Sequence, residues 1–206
     1  MPLYLHKQVG EDTVLAIWKI TEQKDELLTL IMNRFYEHEP KKENLHWLAS
    51  RALINELFQH KNVELIKYIF NKPSLKIDGI EYHISITHSF KYAAIIVSMS
   101  KPVSIDMEKV DPRIQRVKHK FMRDDEMEFI LDEQDIEMLV TVWSAKETLY
   151  KFYGKKELDF KGNLKIEHFN FSNLFEMKGL ISKDSFLQSF NIHAEFLDGY
   201  ILTYIF

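Results

Sequence analysis

Apolar and polar residues alternate over short stretches of this chain, and longer stretches carry helical spacing between them. Residues 3–7 and 13–19 read as strands, the second setting Val14, Ala16 and Trp18 against Leu15, Ile17 and Lys19. Thr21 is placed to cap a helix from Glu22 to about Phe35, before a polar break from Glu37 to Lys42 that contains Pro40. Leu45, Leu48, Ala49, Ala52, Leu53 and Leu57 then recur at helical spacing, which predicts an amphipathic helix over 43–59. A strand follows at Leu65–Phe70, ended by Asn71-Lys72-Pro73, because proline cannot continue a ladder. Asp78-Gly79 marks a tight turn, and Tyr82–Thr87 with Tyr92–Ser98 reads as a hairpin through His88-Ser89-Phe90-Lys91. After a turn at Lys101-Pro102 comes a short acidic strand. Pro112 can open a short helix, Asp124 can cap one from Asp125 to about Leu131, and a longer helix runs from about Gln134 to Tyr153, stopped by Gly154. Residues 164–206 are strand-rich, with Asp198-Gly199 in a terminal hairpin.

Two of these stretches carry the candidate chemistry. In the acidic strand Val103, Ile105 and Met107 point one way and Ser104, Asp106 and Glu108 the other. The two carboxylates therefore share a face, roughly 7 Å apart at their α-carbons. In the long helix Trp143, Lys146, Glu147, Tyr150 and Lys151 share or adjoin one face by three- and four-residue spacing. A third carboxylate, Glu147, is thus expected beside two ammonium groups. Three carboxylates with nearby lysines suit a hard divalent cation holding a phosphate. Each feature has a plainer reading: a solvated strand face for Asp106 and Glu108, and a helix-surface ion pair for Glu147 and Lys151. Likewise His88 reads as a turn histidine, Lys72 as an exposed turn lysine and Arg51 as a snorkelling arginine.

Composition narrows the class. The chain has 206 residues, of which 46% are apolar and 28% charged, as in soluble globular proteins. A formal net charge of −4 gives no overall electrostatic case for nucleic acid. There is no cysteine, which excludes disulfides and thiolate catalysis. The first residues lack the apolar region of a secretion signal and no run is long enough to span a membrane, so a cytoplasmic protein without a membrane partner is expected. Tyr82–Ile96 and Asn191–Thr203 echo each other as strand, turn, tyrosine, strand. The echo predicts an α+β chain of two similar lobes, with a boundary near residues 99–112; chance likeness between two hairpins explains it about as well.

Order and spacing say more than any single motif. The chain reads Asn71-Lys72-Pro73, then Ser85-Ile86-Thr87-His88-Ser89, then Val103-Ser104-Ile105-Asp106-Met107-Glu108, then Trp143-Ser144-Ala145-Lys146-Glu147 with Lys151 four residues on. This resembles the 4'-phosphopantetheinyl transferase superfamily, in particular its longer, surfactin-synthetase-type members. That family shows Gly-Lys-Pro, Ser-x-Ser-His-Ser, Gly-Ile-Asp-x-Glu and Trp-(Ser/Thr)-x-Lys-Glu-x3-Lys. The resemblance is close over residues 71–154 and looser at the Trp47–Leu57 helix, where Arg51 matches a family arginine. Asn71, Thr87, Phe90, Ser104 and Thr148 depart from the pattern without removing a charged group.

The resemblance implies transfer of phosphopantetheine from coenzyme A to a serine hydroxyl of an apo acyl or peptidyl carrier protein, with release of adenosine 3',5'-bisphosphate. It implies a magnesium ion held by Asp106, Glu108 and Glu147, and Lys151 acting on the pyrophosphate. Glu147 is assigned to the metal first and to base catalysis on the serine second. Arg51, Lys72 and His88 would bind coenzyme A phosphates, including the 3'-phosphate. It also implies a monomeric pseudo-dimer: lobes 1–102 and 103–206, each an antiparallel sheet with helices, tightly packed with the active site between them. Carrier proteins are usually acidic, and Arg113, Arg116, Lys118 and Lys120 form a candidate patch to receive one. Two rivals remain: a magnesium-dependent phosphohydrolase acting on coenzyme A or a related diphosphate, and a non-catalytic module that binds coenzyme A or a carrier protein.

Overall fold

A computed structural model of the chain describes residues 3–31, 44–69, 72–128, 130, 135–155 and 157–206. The fold is α+β, built on two antiparallel sheets. It divides into two compact units, one of residues up to Val103 together with Phe206, the other Ser104–Ile205. No described helix is long and apolar enough to cross a membrane.

The first unit runs β1 (Leu3–Gly10), β2 (Thr13–Lys19), α1 (Lys24–Ile31), α2 (Leu45–Leu57), β3 (Val63–Ile69), β4 (Lys72–Ile77), β5 (Ile80–Ser89) and β6 (Tyr92–Ser98). Its sheet has the order β1-β2-β6-β5-β4-β3. Both helices pack on one face, where Leu27, Ile31, Leu48, Ala49 and Leu53 bury against Ala16, Ala93 and Ile95. Apolar spacing alone does not set where α2 starts. Asn44 does, its side chain accepting from Trp47 N at 2.7 Å and occupying one of the amide donors that a helix start leaves unpaired.

The second unit runs β7 (Ser104–Lys109), a 3₁₀ turn at Pro112–Arg116, α3 (Lys118–Phe121), α4 (Asp124–Met127), α5 (Ile136–Tyr153), β8 (Leu164–Ile166), β9 (Leu174–Lys183), β10 (Phe186–Leu197) and β11 (Tyr200–Ile205). Its sheet has the order β7-β11-β10-β9-β8, so the acidic strand is an edge strand with β11 as its neighbour. Helix α5 lies across the sheet and buries Leu139, Val142, Ala145 and Leu149 against Ile166, Met177, Ile192 and Ala194. Each large side chain buried in this way contributes about 1.5–3 kcal/mol. The close approach depends on Gly179 of β9. A Cβ there would stand 2.6 Å from Ile192 Cδ1 and 2.9 Å from Leu149 Cδ1. Asp135 caps α5 through Met138 N at 3.1 Å, and Gly154 ends it at φ 68°, a conformation that costs glycine little.

Several boundaries differ from the sequence reading. Helix α1 starts at Lys24, because the Glu26 carboxylate reaches back to Gln23 N at 2.7 Å and makes Gln23, rather than Thr21, the entry point. The expected end of that helix, and the break with Pro40, lie outside the described residues, as do Asn71, Leu131 and Gln134. Lys72-Pro73 opens strand β4 instead of ending structure. Pro73 falls where the β3–β4 register shifts, so its missing N–H interrupts no ladder. His88 belongs to β5, opposite Ala93, and the turn is only Phe90-Lys91. The helix expected from Asp125 is the single turn α4, in which Glu126 turns its carboxylate back to Arg123 N at 2.8 Å.

Candidate active site

The edge strand β7 presents Ser104, Asp106 and Glu108 to α5, and each meets a polar partner there. Ser104 donates to Thr148 O at 2.7 Å. Asp106 accepts from Ser144 Oγ at 2.9 Å through Oδ2 and from Lys151 Nζ at 2.7 Å through Oδ1. Glu108 accepts from the Trp143 indole Nε1 at 3.0 Å. Positions 144, 148 and 151 recur every three or four residues, so one stripe of α5 faces the acidic strand. Glu147 is on the same side and senses the charges of Asp106, Glu108 and Lys151.

Asp106 is held by a buried hydroxyl chain. Ser144 Oγ lies 2.9 Å from Thr203 Oγ1, which lies 2.7 Å from Thr148 Oγ1. Thr203 sits opposite Asp106 in the β7–β11 ladder, and Ser144, Thr148 and Thr203 are all fully buried. Such a chain is stable only when every member is paired, which restricts Asp106 to one orientation.

Charge in this stripe is unbalanced: three carboxylates face one ammonium. Burial, reinforced by the negative charge of Asp106, pushes both Glu108 and Glu147 up to about 7. Lys151 gives its ammonium to Asp106 and to Ile105 O at 3.2 Å, reaching the strand instead of closing a helix-surface pair with Glu147. Among the described residues no three His, Asp or Glu side chains are gathered at metal-holding distances. The donor set nevertheless suits a hard dication. These are oxygen donors, partly shielded from water, whose mutual repulsion a cation would relieve.

Lys146 takes no part in that stripe. It is fully buried on another side of α5, donating to Phe121 O at 2.6 Å, Glu126 Oε2 at 2.7 Å and Phe160 O at 3.0 Å. Three acceptors match the three hydrogens of an ammonium. Glu126 is equally buried, and its other oxygen accepts from Ile166 N at 2.8 Å. The pair ties α5 to α3, α4 and β8, so of the two ammonium groups expected beside Glu147 only Lys151 is on its side.

The other predicted residues lie in the first unit. Arg51 is buried in α2, not snorkelling, with its guanidinium 4.3 Å from the Trp47 ring centre and Nη1 donating to Ser50 Oγ at 2.9 Å. Lys72 is half-buried at the start of β4, and burial draws its ammonium below the ordinary lysine range. His88 is exposed near the end of β5, and its ring stacks on that of His46. In the basic patch, Arg113 is held by Asp111 at 2.6 Å, which pulls that carboxyl down to about 2.

Sequence reasoning missed His46, Glu126, Ser144 and Thr203. For Thr203 a signal existed: it interrupts the apolar series Ile201, Ile205 on the same face of β11. Ser144 lies within the Trp-Ser-Ala-Lys-Glu run, three residues before Glu147. Nothing local marked Glu126 or His46.

A comparison with protein families matches residues 102–205, half of the chain, to the family described as the 4'-phosphopantetheinyl transferase superfamily. No curated protein matches the chain.

Proposed function

Because the chain belongs to the 4'-phosphopantetheinyl transferase superfamily, we propose that it moves the 4'-phosphopantetheine group of coenzyme A onto a serine hydroxyl of an apo acyl or peptidyl carrier protein. The observation that carries this reading is the pairing of β7 with α5. Asp106, Glu108, Glu147 and Lys151 come together inside the matched segment, in an arrangement suited to phosphate chemistry.

Asp106, Glu108 and Glu147 would hold a magnesium ion. Bound there, the ion supplies charge neutralisation on the pyrophosphate. The chain's own groups account for the rest. The carrier serine oxygen attacks the phosphorus that bears the pantetheine arm. The bond from that phosphorus to the bridging oxygen breaks, and adenosine 3',5'-bisphosphate leaves with the electron pair. Lys151 would stabilise the growing negative charge. Besides helping to hold the ion, Glu147 would in second place accept the serine proton. Ser144 and Thr203 keep Asp106 facing α5. Arg51, Lys72 and His88 we assign to the coenzyme A phosphates, the arginine as a planar fork and the lysine as a point charge.

Intact-mass spectrometry of an apo carrier protein, mixed with the enzyme, coenzyme A and magnesium, tests the reading. The expected result is a phosphopantetheine-sized mass gain on the carrier, abolished by EDTA and by Glu147→Gln. Coenzyme A cleaved with no carrier modified would replace transfer with hydrolysis. Coenzyme A bound but intact, across acyl and peptidyl carriers, would mean a binding module.

A further inference from the structure

We infer that His46 is a positioning residue that holds the His88 ring and the turn after it in place for a phosphate of coenzyme A. The inference rests on the reading that His88 meets such a phosphate, and adds a residue that no motif marks.

His88 is exposed near the end of β5. An exposed strand side chain ordinarily samples several rotamers and loses that freedom on binding. Here the His46 ring lies parallel to it, with centroids 4.5 Å apart and planes 8° from each other. His46 is itself anchored. It stands in the first turn of α2, where Asn44 fixes the helix start. Its Nε2 lies 2.8 Å from Phe90 O. A carbonyl only accepts, so Nε2 carries the hydrogen and the tautomer is set.

The turn supplies an independent observation. Phe90 has φ 50° as the first residue of its hairpin turn, the conformation that Asp78, Asp184 and Asp198 also take at that place in theirs; unlike them it brings a bulky side chain to it, and the residue is 63% exposed. A bulky residue adopts that conformation at a cost, and it persists where surrounding contacts hold the turn. The bond from His46 to Phe90 O is one such contact. A single side chain on α2 therefore fixes both the ring of His88 and the backbone two residues on. Ordering these groups before the ligand arrives reduces what binding must spend on them.

Titration calorimetry of coenzyme A with magnesium, on the full chain, tests this. His46→Ala should weaken binding roughly three- to tenfold, the scale of one stacked ring pair. His46→Phe keeps a flat ring without the hydrogen bond, and should recover part of that loss. In the His88→Ala background, His46→Ala should add little, because the ring stacking and the hold on the turn both serve to place the His88 ring. Equal losses from His46→Ala with and without His88 would overturn the inference. So would a loss in His88→Ala with none in His46→Ala, and that result leaves the reading of His88 intact. Coenzyme A bound as tightly by His88→Ala as by the wild type would overturn that reading and the inference together.

Discussion

Lys146→Met separates a structural lysine from a catalytic one within the same motif. Methionine nearly matches the lysine stem in length but offers no hydrogen. The change would leave the fully buried Glu126 carboxylate with backbone donors alone, Arg123 N and Ile166 N, and take from Phe121 O and Phe160 O their bonds to the ammonium. Removing one partner of a buried ion pair costs about 3–5 kcal/mol, chiefly because the remaining charge stays desolvated. A chain of this size loses roughly 2–4 °C of Tm per kcal/mol, so a drop on the order of 10 °C is expected. The double variant Lys146→Met/Glu126→Gln removes the stranded charge and should regain about half of the loss. The assay is chemical and thermal denaturation of the three proteins, followed by carrier modification at a temperature where all are folded. The double variant should retain transfer activity, since Lys146 points away from Glu147. A Lys146→Met protein as stable as the wild type but inactive would refute the reasoning and move Lys146 into the chemistry.

Three further outcomes follow from the same geometry. Glu108 and Glu147 sit at about 7 when folded, against 4.5 for an ordinary glutamate, so the folded chain holds more protons between those values than the unfolded one. Stability without metal should fall as pH rises through that window, by on the order of 3 kcal/mol for each of the two groups. Magnesium should flatten the profile, and a profile flat without metal would contradict the shared charge. Thr203→Val keeps shape but cuts the hydroxyl chain behind Asp106; a loss of about 1 kcal/mol, with a higher magnesium requirement, is expected from denaturation and metal titration. Gly179→Ala places a methyl against Ile192 and Leu149 and should cost about 1–3 kcal/mol in thermal unfolding, whereas an unchanged Tm would mean that α5 shifts freely.

The α+β class, the Asp78-Gly79 and Asp198-Gly199 hairpins and the stop of α5 at Gly154 were legible in sequence, because alternation, helical spacing and turn chemistry act over a few residues. Legible too was the shared face of Asp106 and Glu108, which strand period alone requires. Strand β4 was hidden, since Lys72-Pro73 looks like a break until the register shift beside it is seen. The direction of Lys146 was hidden as well. Helical spacing puts it next to Glu147, yet only the arrival of Phe121 O, Glu126 and Phe160 O from distant segments decides that it points inward. The same holds for Thr203 behind Asp106 and for His46 against His88, pairs separated by 97 and 42 residues in the sequence. Local pattern determined which side chains share a face. Long-range packing decided what each face meets, because a buried polar group is tolerated only where a partner from elsewhere in the chain satisfies it.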